Sequence, residues 1–242
     1  MRDQTGPPGR GWCRGMVKIC GATRLPDIDL LAAAEADLVG LWHGVPGGHA
    51  ELDTTQLATL SDAAARTGTL TPVLVTLAGK PETLAAAVDI SGIRTVQLHG
   101  YQPPGLVREL KSGVPVLTVV KVLHVRDGSC PERPLIRSYE RAGVDVFLFD
   151  AIGADGRIGS TAQPLDPAVV LDLAALINVP FLLAGGITAA NVATFATVAT
   201  REDFLGVDVD TGARDGEGRF DGERVRAIRR AWTRGAPAGA VR

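Results

Sequence analysis

Residues 164–186 read PLDPAVVLDLAALINVPFLLAGG, and this stretch holds one repeat of the predicted fold. A helical pattern runs from Pro167 to Leu176, and proline is favoured in the first turn of a helix. The short run Phe181–Leu183 follows, and it is apolar throughout instead of alternating between polar and apolar residues. Continuous apolar runs are typical of parallel strands that are covered on both faces. The stretch therefore predicts a helix that leads into a buried strand.

The same two patterns alternate along the whole chain. Eight short, mostly apolar runs predict strands, and eight helical patterns follow them, five of which begin at or next to a proline. The predicted strands are Val17–Cys20, Leu38–Trp42, Val73–Leu77, Thr95–Leu98, Val116–Val122, Val146–Phe149, Phe181–Leu183 and Leu205–Val209. The predicted helices are Pro26–Ala36, Thr54–Arg66, Pro81–Val88, Pro104–Lys111, Pro134–Arg141, Pro167–Leu176, Ala189–Val198 and Gly222–Trp232.

Eight strand–helix units predict a single (βα)8 barrel over residues 16–233, because right-handed crossovers between parallel strands can close such a barrel. The length of 242 residues fits one such domain. An open doubly wound sheet is the alternative, but no GxGxxG turn follows the first strand, which disfavours its dinucleotide-binding form. We expect residues 1–15 to form a disordered leader, with Met16 as an alternative start, and residues 234–242 to form a flexible tail.

Charge balance and cysteine usage argue against several classes of protein. The chain has 25 basic and 27 acidic residues, which leaves no global field for nucleic acid or an anionic membrane. No apolar run is long enough to span a bilayer, and the first residues lack the apolar core of a signal peptide, so we expect a cytoplasmic protein. Three scattered cysteines without a CxxC pair argue against a disulfide framework and a zinc cluster. We expect no bound metal.

Catalytic residues of a (βα)8 barrel follow the carboxyl ends of its strands. At those positions this chain has a thiol, carboxylates, imidazoles and glycine turns. None of the four histidines forms an HxH pair on a strand, which disfavours a metal-dependent hydrolase. The positions are Cys20-Gly21, His43–His49, Ala78-Gly79, His99-Gly100, His124, Asp150, Gly185-Gly186 and Asp210–Gly212.

Several motifs occur in a specific order at these strand ends. They are Lys18-Ile19-Cys20-Gly21, Val96-Gln97-Leu98-His99-Gly100, Phe149-Asp150, Ala184-Gly185-Gly186 with Asn191-Val192, and Val207-Asp208-Val209 with Thr211-Gly212. In that combination and spacing the chain resembles the phosphoribosylanthranilate isomerase family over residues 16–232, although any one motif alone is a weak signal.

The resemblance implies an enzyme of tryptophan biosynthesis that performs an Amadori rearrangement of N-(5′-phosphoribosyl)anthranilate without a metal or organic cofactor. By position, the general base of the family falls on Cys20 and its general acid on Asp150. The reaction needs one proton delivered to the furanose ring oxygen and one removed from C2. Taken alone, Cys20 fits a small buried residue and Asp150 fits a cap of the next turn. We expect a monomer or a homodimer that acts on a small phosphosugar-amine.

Further residues are predicted to contact the substrate. We expect four of them to line the site, namely Lys18, Gln97, His99 and Lys121. His99 fits equally a rim residue that packs beside the glycine turn, and Lys121 could instead pair with an acidic group inside the barrel. The phosphate is expected at the loops after the seventh and eighth strands, where glycines permit close approach and N–H groups attract anions. That site would consist of Gly185, Gly186, Asp210, Thr211 and Gly212.

Several positions depart from the family's pattern, among them Trp42-His43, which replaces smaller or simpler residues at the end of the second strand. His49 stands where the family has an arginine for the anthranilate carboxylate, and histidine is a poorer ligand because it is shorter and only partly charged at pH 7. Arg24 is a candidate to bind the carboxylate in place of that arginine. Asp210 replaces a serine beside the expected phosphate, where a carboxylate repels the anion unless Arg214 neutralises it. Gly159-Ser160-Thr161-Ala162 replaces a stretch that is richer in glycine.

These departures leave three functions open. The first is the isomerase reaction with anthranilate as the amine. The second is a homologue in specialised metabolism that uses Cys20 and Asp150 on a different amine or sugar, and the loss of the arginine favours it. The third is a catalytically silent barrel that serves as a binding partner, and the retention of both Cys20 and Asp150 argues against it.

Overall fold

The computed structural model describes residues 12–152 and 164–233, and it confirms the predicted (βα)8 barrel. Eight parallel strands pair in chain order, and the last pairs with the first, so that the sheet is closed. The strands are Met16–Cys20 (β1), Leu38–Trp42 (β2), Thr71–Thr76 (β3), Thr95–Leu98 (β4), Thr118–Val125 (β5), Val146–Ala151 (β6), Phe181–Leu183 (β7) and Phe204–Val209 (β8).

Within the described ranges, helices follow the strands and cover the barrel. Prolines open three of them as predicted, at Pro81, Pro104 and Pro167, where the backbone N–H that proline lacks has no intrahelical partner. The α-helices are Leu25–Ala33 (α1), Thr54–Arg66 (α2), Pro81–Ser91 (α3), Pro104–Gly113 (α4), Ile136–Ala142 (α5), Pro167–Ala174 (α6), Ala196–Ala199 (α7) and Gly222–Thr233 (α8).

The fifth strand differs from its predicted bounds in a way that affects the site. It begins at Thr118 and runs to Val125, three residues beyond the predicted end at Val122. His124 therefore lies within the strand, where it is fully buried, and not in the loop that follows it.

The seventh helix is much shorter than the predicted range 189–198. A 3₁₀ turn at Val192–Phe195 leads into the one-turn helix α7. Asn191 explains the difference, because its side-chain oxygen accepts a hydrogen bond from the Thr188 N–H and its amide donates to the Gly186 carbonyl. These two bonds fix a loop where the helix would otherwise begin.

Strand side chains alternate between the inside of the barrel and the layer between sheet and helices. Two apolar clusters with members such as Leu38, Val75, Val122 and Leu148 fill the inside, and the larger core lies between sheet and helices. Because the period is two, one inward residue on a strand determines which of its neighbours also point inward. This rule decides which candidate residues reach the site.

Contacts with the barrel begin before the predicted domain boundary at residue 16. Trp12 packs against both interior clusters, and the Arg14 guanidinium donates to the Ala199 carbonyl over 2.7 Å. Part of the predicted leader, residues 12–15, therefore packs on the barrel, whereas the rest of it and the predicted tail lie outside the described residues. No helix in the described ranges is long and apolar enough to cross a bilayer.

Candidate active site

Strand alternation brings the catalytic candidates together at the carboxyl ends of the strands. A cavity of about 280 Å³ opens there, and Cys20 and Asp150 both line it. The lining consists of Cys20, Trp42, His99, Asp150, residues 184–188 and 208–212, and Arg224. The two residues predicted to act as base and acid therefore share one cavity with the predicted phosphate loops.

Two hydrogen-bond donors hold the thiol of Cys20. The ammonium nitrogen of Lys18 lies 3.2 Å from the sulfur, and the indole N–H of Trp42 donates to it over 3.1 Å. Burial raises the pKa of Cys20 to about 12, and the negative charges of Asp208 and Asp210 also act to raise it. The charge of Lys18 and the hydrogen bond from Trp42 act in the opposite direction and lower the pKa. The thiol is therefore the resting form at neutral pH, and both donors stabilise the thiolate that would act as a base.

Asp208 keeps Lys18 charged beneath the cavity. The Lys18 nitrogen lies 2.8 Å from both carboxylate oxygens, and both side chains are buried. Burial alone would lower the pKa of Lys18, but Asp208 and Cys20 raise it above its ordinary value. Sequence reasoning misses Asp208 as a site residue. The signal that finds it is its spacing of two from Asp210, because residues two apart at the end of an extended strand point to the same side.

Asp150 and His99 lie side by side in the cavity wall. His99 Nε2 is 3.5 Å from Asp150 Oδ2, without the geometry of a hydrogen bond. The other ring nitrogen, Nδ1, accepts from the side-chain amide of Gln97 over 2.9 Å. An Nδ1 that accepts leaves the ring proton on Nε2, so His99 presents an N–H to the cavity beside Asp150. Gln97 is fully buried and reaches the site through His99.

His124 supports the loop that carries His99. Its Nε2 donates to the His99 carbonyl over 2.9 Å, and its Nδ1 lies 2.5 Å from the Glu132 carboxylate. Burial alone would raise the pKa of Glu132, but hydrogen bonding to His124 and the charges of His124 and Lys121 lower it. Both ring nitrogens therefore face oxygen atoms, and these two contacts hold the ring between the Glu132 carboxylate and the His99 carbonyl. His124 is a support for the site and does not line the cavity.

Lys121 points away from the cavity, which corrects its predicted contact with substrate. Val120 and Val122 pack inside the barrel, so the residue between them faces the helix layer. Its ammonium donates to the Gly100 carbonyl over 2.7 Å and lies 5.4 Å from the ring centroid of Tyr139. Burial lowers the pKa of Lys121 to about 8. Lys121 therefore holds the turn after β4 from outside the barrel.

The loops after β7 and β8 meet at one end of the cavity, where the phosphate is predicted. A Cβ on Gly212 would lie 2.2 Å from the Ile187 carbonyl oxygen, so the two loops can touch only with glycine at this position. Within the described ranges, the backbone N–H groups of Gly185 and Gly186 donate to no other group. Thr211 opens a 3₁₀ turn, whose first N–H groups have no intrahelical partner. These donors line the cavity and suit an anion.

Two residues that depart from the family's pattern contact each other. His49 Nε2 lies 3.4 Å from Asp210 Oδ2, and its ring meets Trp42 edge-on with centroids 4.7 Å apart. On its other side, Asp210 accepts a hydrogen bond from Arg214 over 2.6 Å. Arg214 thus neutralises the carboxylate beside the phosphate loops, while His49 is half exposed at the rim.

Arg24 lies away from the cavity. Its guanidinium is 2.9 Å from the Asp27 carboxylate at the start of α1, and it is half exposed and not part of the lining. This position gives no support to Arg24 as a replacement for the missing arginine. The stretch 159–162 lies outside the described residues. Among those that are described, no three His, Cys, Asp or Glu side chains are grouped to hold a metal ion.

Comparisons with known proteins agree with this geometry. The family model N-(5′-phosphoribosyl)anthranilate (PRA) isomerase matches residues 17–231. The N-(5′-phosphoribosyl)anthranilate isomerase of Myxococcus xanthus is 36% identical over 216 residues, which are 89% of this chain and 94% of that protein.

Two solved structures share the fold. Phosphoribosyl anthranilate isomerase from Thermus thermophilus has a TM-score of 0.72 at 24% identity, covering 89% of this chain and 97% of that one. A phosphoribosyl anthranilate isomerase in complex with reduced 1-(o-carboxyphenylamino)-1-deoxyribulose 5-phosphate has a TM-score of 0.70 at 22% identity, covering 91% and 99%. Because the family model and the Myxococcus relative both extend over nearly the whole barrel, the chain belongs to the N-(5′-phosphoribosyl)anthranilate isomerase family.

Proposed function

We propose that this protein is an aldose–ketose isomerase, an intramolecular oxidoreductase of tryptophan biosynthesis. It converts N-(5′-phosphoribosyl)anthranilate to 1-(2-carboxyphenylamino)-1-deoxyribulose 5-phosphate. The observation that carries the proposal is that Cys20 and Asp150 line one cavity whose end is formed by the glycine loops after β7 and β8. Similarity to the N-(5′-phosphoribosyl)anthranilate isomerase of Myxococcus xanthus supports anthranilate as the amine half of the substrate.

Asp150 is the proposed general acid. Its protonated carboxyl delivers a proton to the furanose ring oxygen, the C1–O bond breaks, and the nitrogen lone pair forms the iminium ion. The His99 N–H, 3.5 Å from Asp150 and without a hydrogen-bond partner in the described residues, is placed to donate to an oxygen of the sugar. His99 would thereby orient the ring oxygen toward the acid.

Cys20 is the proposed general base. Its thiolate removes the proton from C2 of the iminium ion and leaves an enolamine, which becomes the ketone when a proton is added at C1 and the C2 hydroxyl loses its own. Lys18 and the Trp42 indole stabilise the thiolate that starts this step. Because the reaction moves protons and needs no external electron acceptor, Asp150 and Cys20 suffice without a cofactor.

His49 is the proposed contact for the anthranilate carboxylate. It lies at the rim between Trp42 and Asp210, and half of its side chain is exposed. A comparison of two substrates tests this role, because phosphoribosylated aniline lacks the carboxylate. We expect His49→Ala to raise KM several-fold for the anthranilate substrate and to leave KM for the aniline substrate unchanged. Equal effects on both substrates would refute the contact.

The reaction itself is tested by turnover of N-(5′-phosphoribosyl)anthranilate made in situ. We expect Cys20→Ala and Asp150→Asn each to lower kcat by at least about 100-fold, the usual contribution of a general acid or base. Cys13→Ser and Asp89→Asn, at exposed positions outside the cavity, are the matched controls. Activity that survives in both cavity variants would refute the assignment of acid and base.

The same assay separates the alternatives. Folded wild-type protein without turnover of this substrate would favour a homologue that acts on another aminated sugar. The placement of both Cys20 and Asp150 in one cavity argues against a catalytically silent barrel.

A further inference from the structure

The cavity with the predicted phosphate site is crowded with negative charge. Asp150, Asp208 and Asp210 all line the cavity, and a phosphate monoester adds nearly two more negative charges at neutral pH. Lys18 offsets Asp208 at 2.8 Å, and Arg214 offsets Asp210 at 2.6 Å. These two pairs balance their own carboxylates and leave no surplus positive charge for a phosphate.

Arg214 does not line the cavity, and its guanidinium is engaged elsewhere. Its Nη1 donates to the Gly218 carbonyl and its Nη2 to the Gly21 carbonyl, both over 2.9 Å. The guanidinium also lies 3.9 Å over the ring of Phe220. Since every nitrogen of the group is engaged, Arg214 is fixed as the partner of Asp210.

Arg224 is a further cation at this cavity. It lies in the first turn of α8 and lines the cavity together with the loops after β7 and β8. Its side chain is 55% exposed, and its ion pair with Asp221 spans 3.7 Å from Nε to Oδ2. A surface pair of this length holds a side chain weakly, and neither Nη group donates a hydrogen bond to any described residue, so that both can turn toward an anion.

The backbone of α8 does not provide the missing charge. Asp221 Oδ1 accepts hydrogen bonds from the N–H groups of Glu223 (2.8 Å) and Arg224 (3.2 Å). This carboxylate therefore caps the helix end and cancels much of its attraction for an anion. The contribution that α8 can make to the phosphate is the side chain of Arg224.

We propose that Arg224 is the phosphate-binding cation of this chain. Its guanidinium pairs with the phosphate monoester that the N–H groups of Gly185, Gly186 and Thr211 receive, and it supplies the positive charge that the Lys18–Asp208 and Arg214–Asp210 pairs do not leave over. The identity of the substrate rests on the proposed function, but recognition of a phosphate monoester does not depend on the amine half.

The first test is the affinity for inorganic phosphate, measured by titration calorimetry on the full chain without substrate. We expect the Kd to rise about tenfold or more in Arg224→Gln, as for the loss of one charge-assisted contact, and to rise less in Arg224→Lys. Arg226→Gln is the control, because Arg226 lies on the same helix, pairs with Glu223 and does not line the cavity. An unchanged Kd in Arg224→Gln, or no phosphate binding by the folded wild type, would overturn the proposal.

The second test is turnover, which distinguishes this proposal from the proposed function. We expect Arg224→Gln to raise KM for the phosphoribosylated substrate about tenfold and to change kcat less. If no variant or wild type turns over the anthranilate substrate while Arg224→Gln loses phosphate affinity, the proposed function fails and this proposal stands. If wild type is active and Arg224→Gln keeps its KM and phosphate affinity, this proposal alone fails.

Discussion

Lys18 and Cys20 lie two residues apart on β1, and the strand directs the lysine nitrogen to within 3.2 Å of the cysteine sulfur. The same nitrogen lies 2.8 Å from both oxygens of Asp208, which belongs to the strand that closes the barrel. Closure of the sheet therefore fixes a positive charge directly beside the proposed base. This contact and three other features of the barrel lead to four testable predictions.

The reactivity of Cys20 should depend on Lys18. Because the pKa of Cys20 is raised to about 12, alkylation by iodoacetamide should be slow at pH 7 and should rise about tenfold per pH unit up to pH 10. We expect Lys18→Met/Asp208→Asn, which removes the buried pair as a unit, to change the labelling rate measured by mass spectrometry, whereas Lys111→Met/Asp145→Asn should not. Cys13 is exposed and is therefore replaced by serine in the wild-type background and in both double variants.

The direction of that change is informative. Lys18 lowers the pKa of Cys20 more than Asp208 raises it, so loss of both should slow the alkylation. Faster labelling in the double variant would show that Asp208 dominates at the sulfur, and an unchanged rate would show that the pair does not act on it.

Gly40 should be required for activity and not for folding. A Cβ at this position would lie 2.6 Å from the Cys20 sulfur and 3.1 Å from the Lys18 nitrogen, so Gly40→Ala must displace the thiol. We expect a loss of kcat of about tenfold or more, of the order of one misplaced catalytic group, with a far-UV spectrum like that of wild type. Gly79→Ala is the control, because nothing lies within 4 Å of its added Cβ. Full activity in Gly40→Ala would show that the thiol can move without loss of function.

Gln97 should act on catalysis through His99. Its amide donates to His99 Nδ1 over 2.9 Å and thereby sets the tautomer that presents Nε2–H to the cavity. We expect Gln97→Leu and His99→Asn each to lower kcat about 10-fold to 100-fold, the range for the loss of a positioned donor. The double variant should be no worse than His99→Asn, because residues that act as a unit are non-additive. Losses that multiply would contradict this coupling.

Lys121 should make stability depend on pH above neutrality. Burial lowers its pKa from the ordinary value of 10.5 to about 8, so between these pH values the unfolded chain binds a proton that the folded chain does not. Its contribution to the free energy of unfolding is therefore present above pH 10.5 and is lost as the pH falls toward 8.

The variant Lys121→Met removes this titration. We expect the difference in unfolding free energy, wild type minus variant, to grow by up to about 3 kcal/mol between pH 8 and pH 10.5, measured by urea denaturation. Lys80→Met, at an exposed lysine, is the control. A difference that stays constant with pH would show that the ammonium is not desolvated in the folded protein.

The barrel and its strand ends are determined by the sequence alone. The predicted bounds of β2, β4 and β7 agree with the structure, because a continuous apolar run between turn residues is a local signal for a strand with two covered faces. The order of the motifs at the strand ends was sufficient to single out Cys20 on β1 and Asp150 on β6, which line one cavity in the folded chain.

The partners of these residues and the direction of each side chain are decided by the tertiary structure. Lys18 and Lys121 both lie in buried strands, yet Lys18 shares the inner face with Cys20, whereas Lys121 lies between two inward valines and faces the helices. A strand that is apolar on both faces does not encode which face is inside. Pairs such as Lys18 with Asp208 and His49 with Asp210 join segments far apart in the chain. The first pair forms only when β1 pairs with β8, and the second only when the loop after β2 folds over the end of β8. No local pattern of residues predicts these long-range contacts.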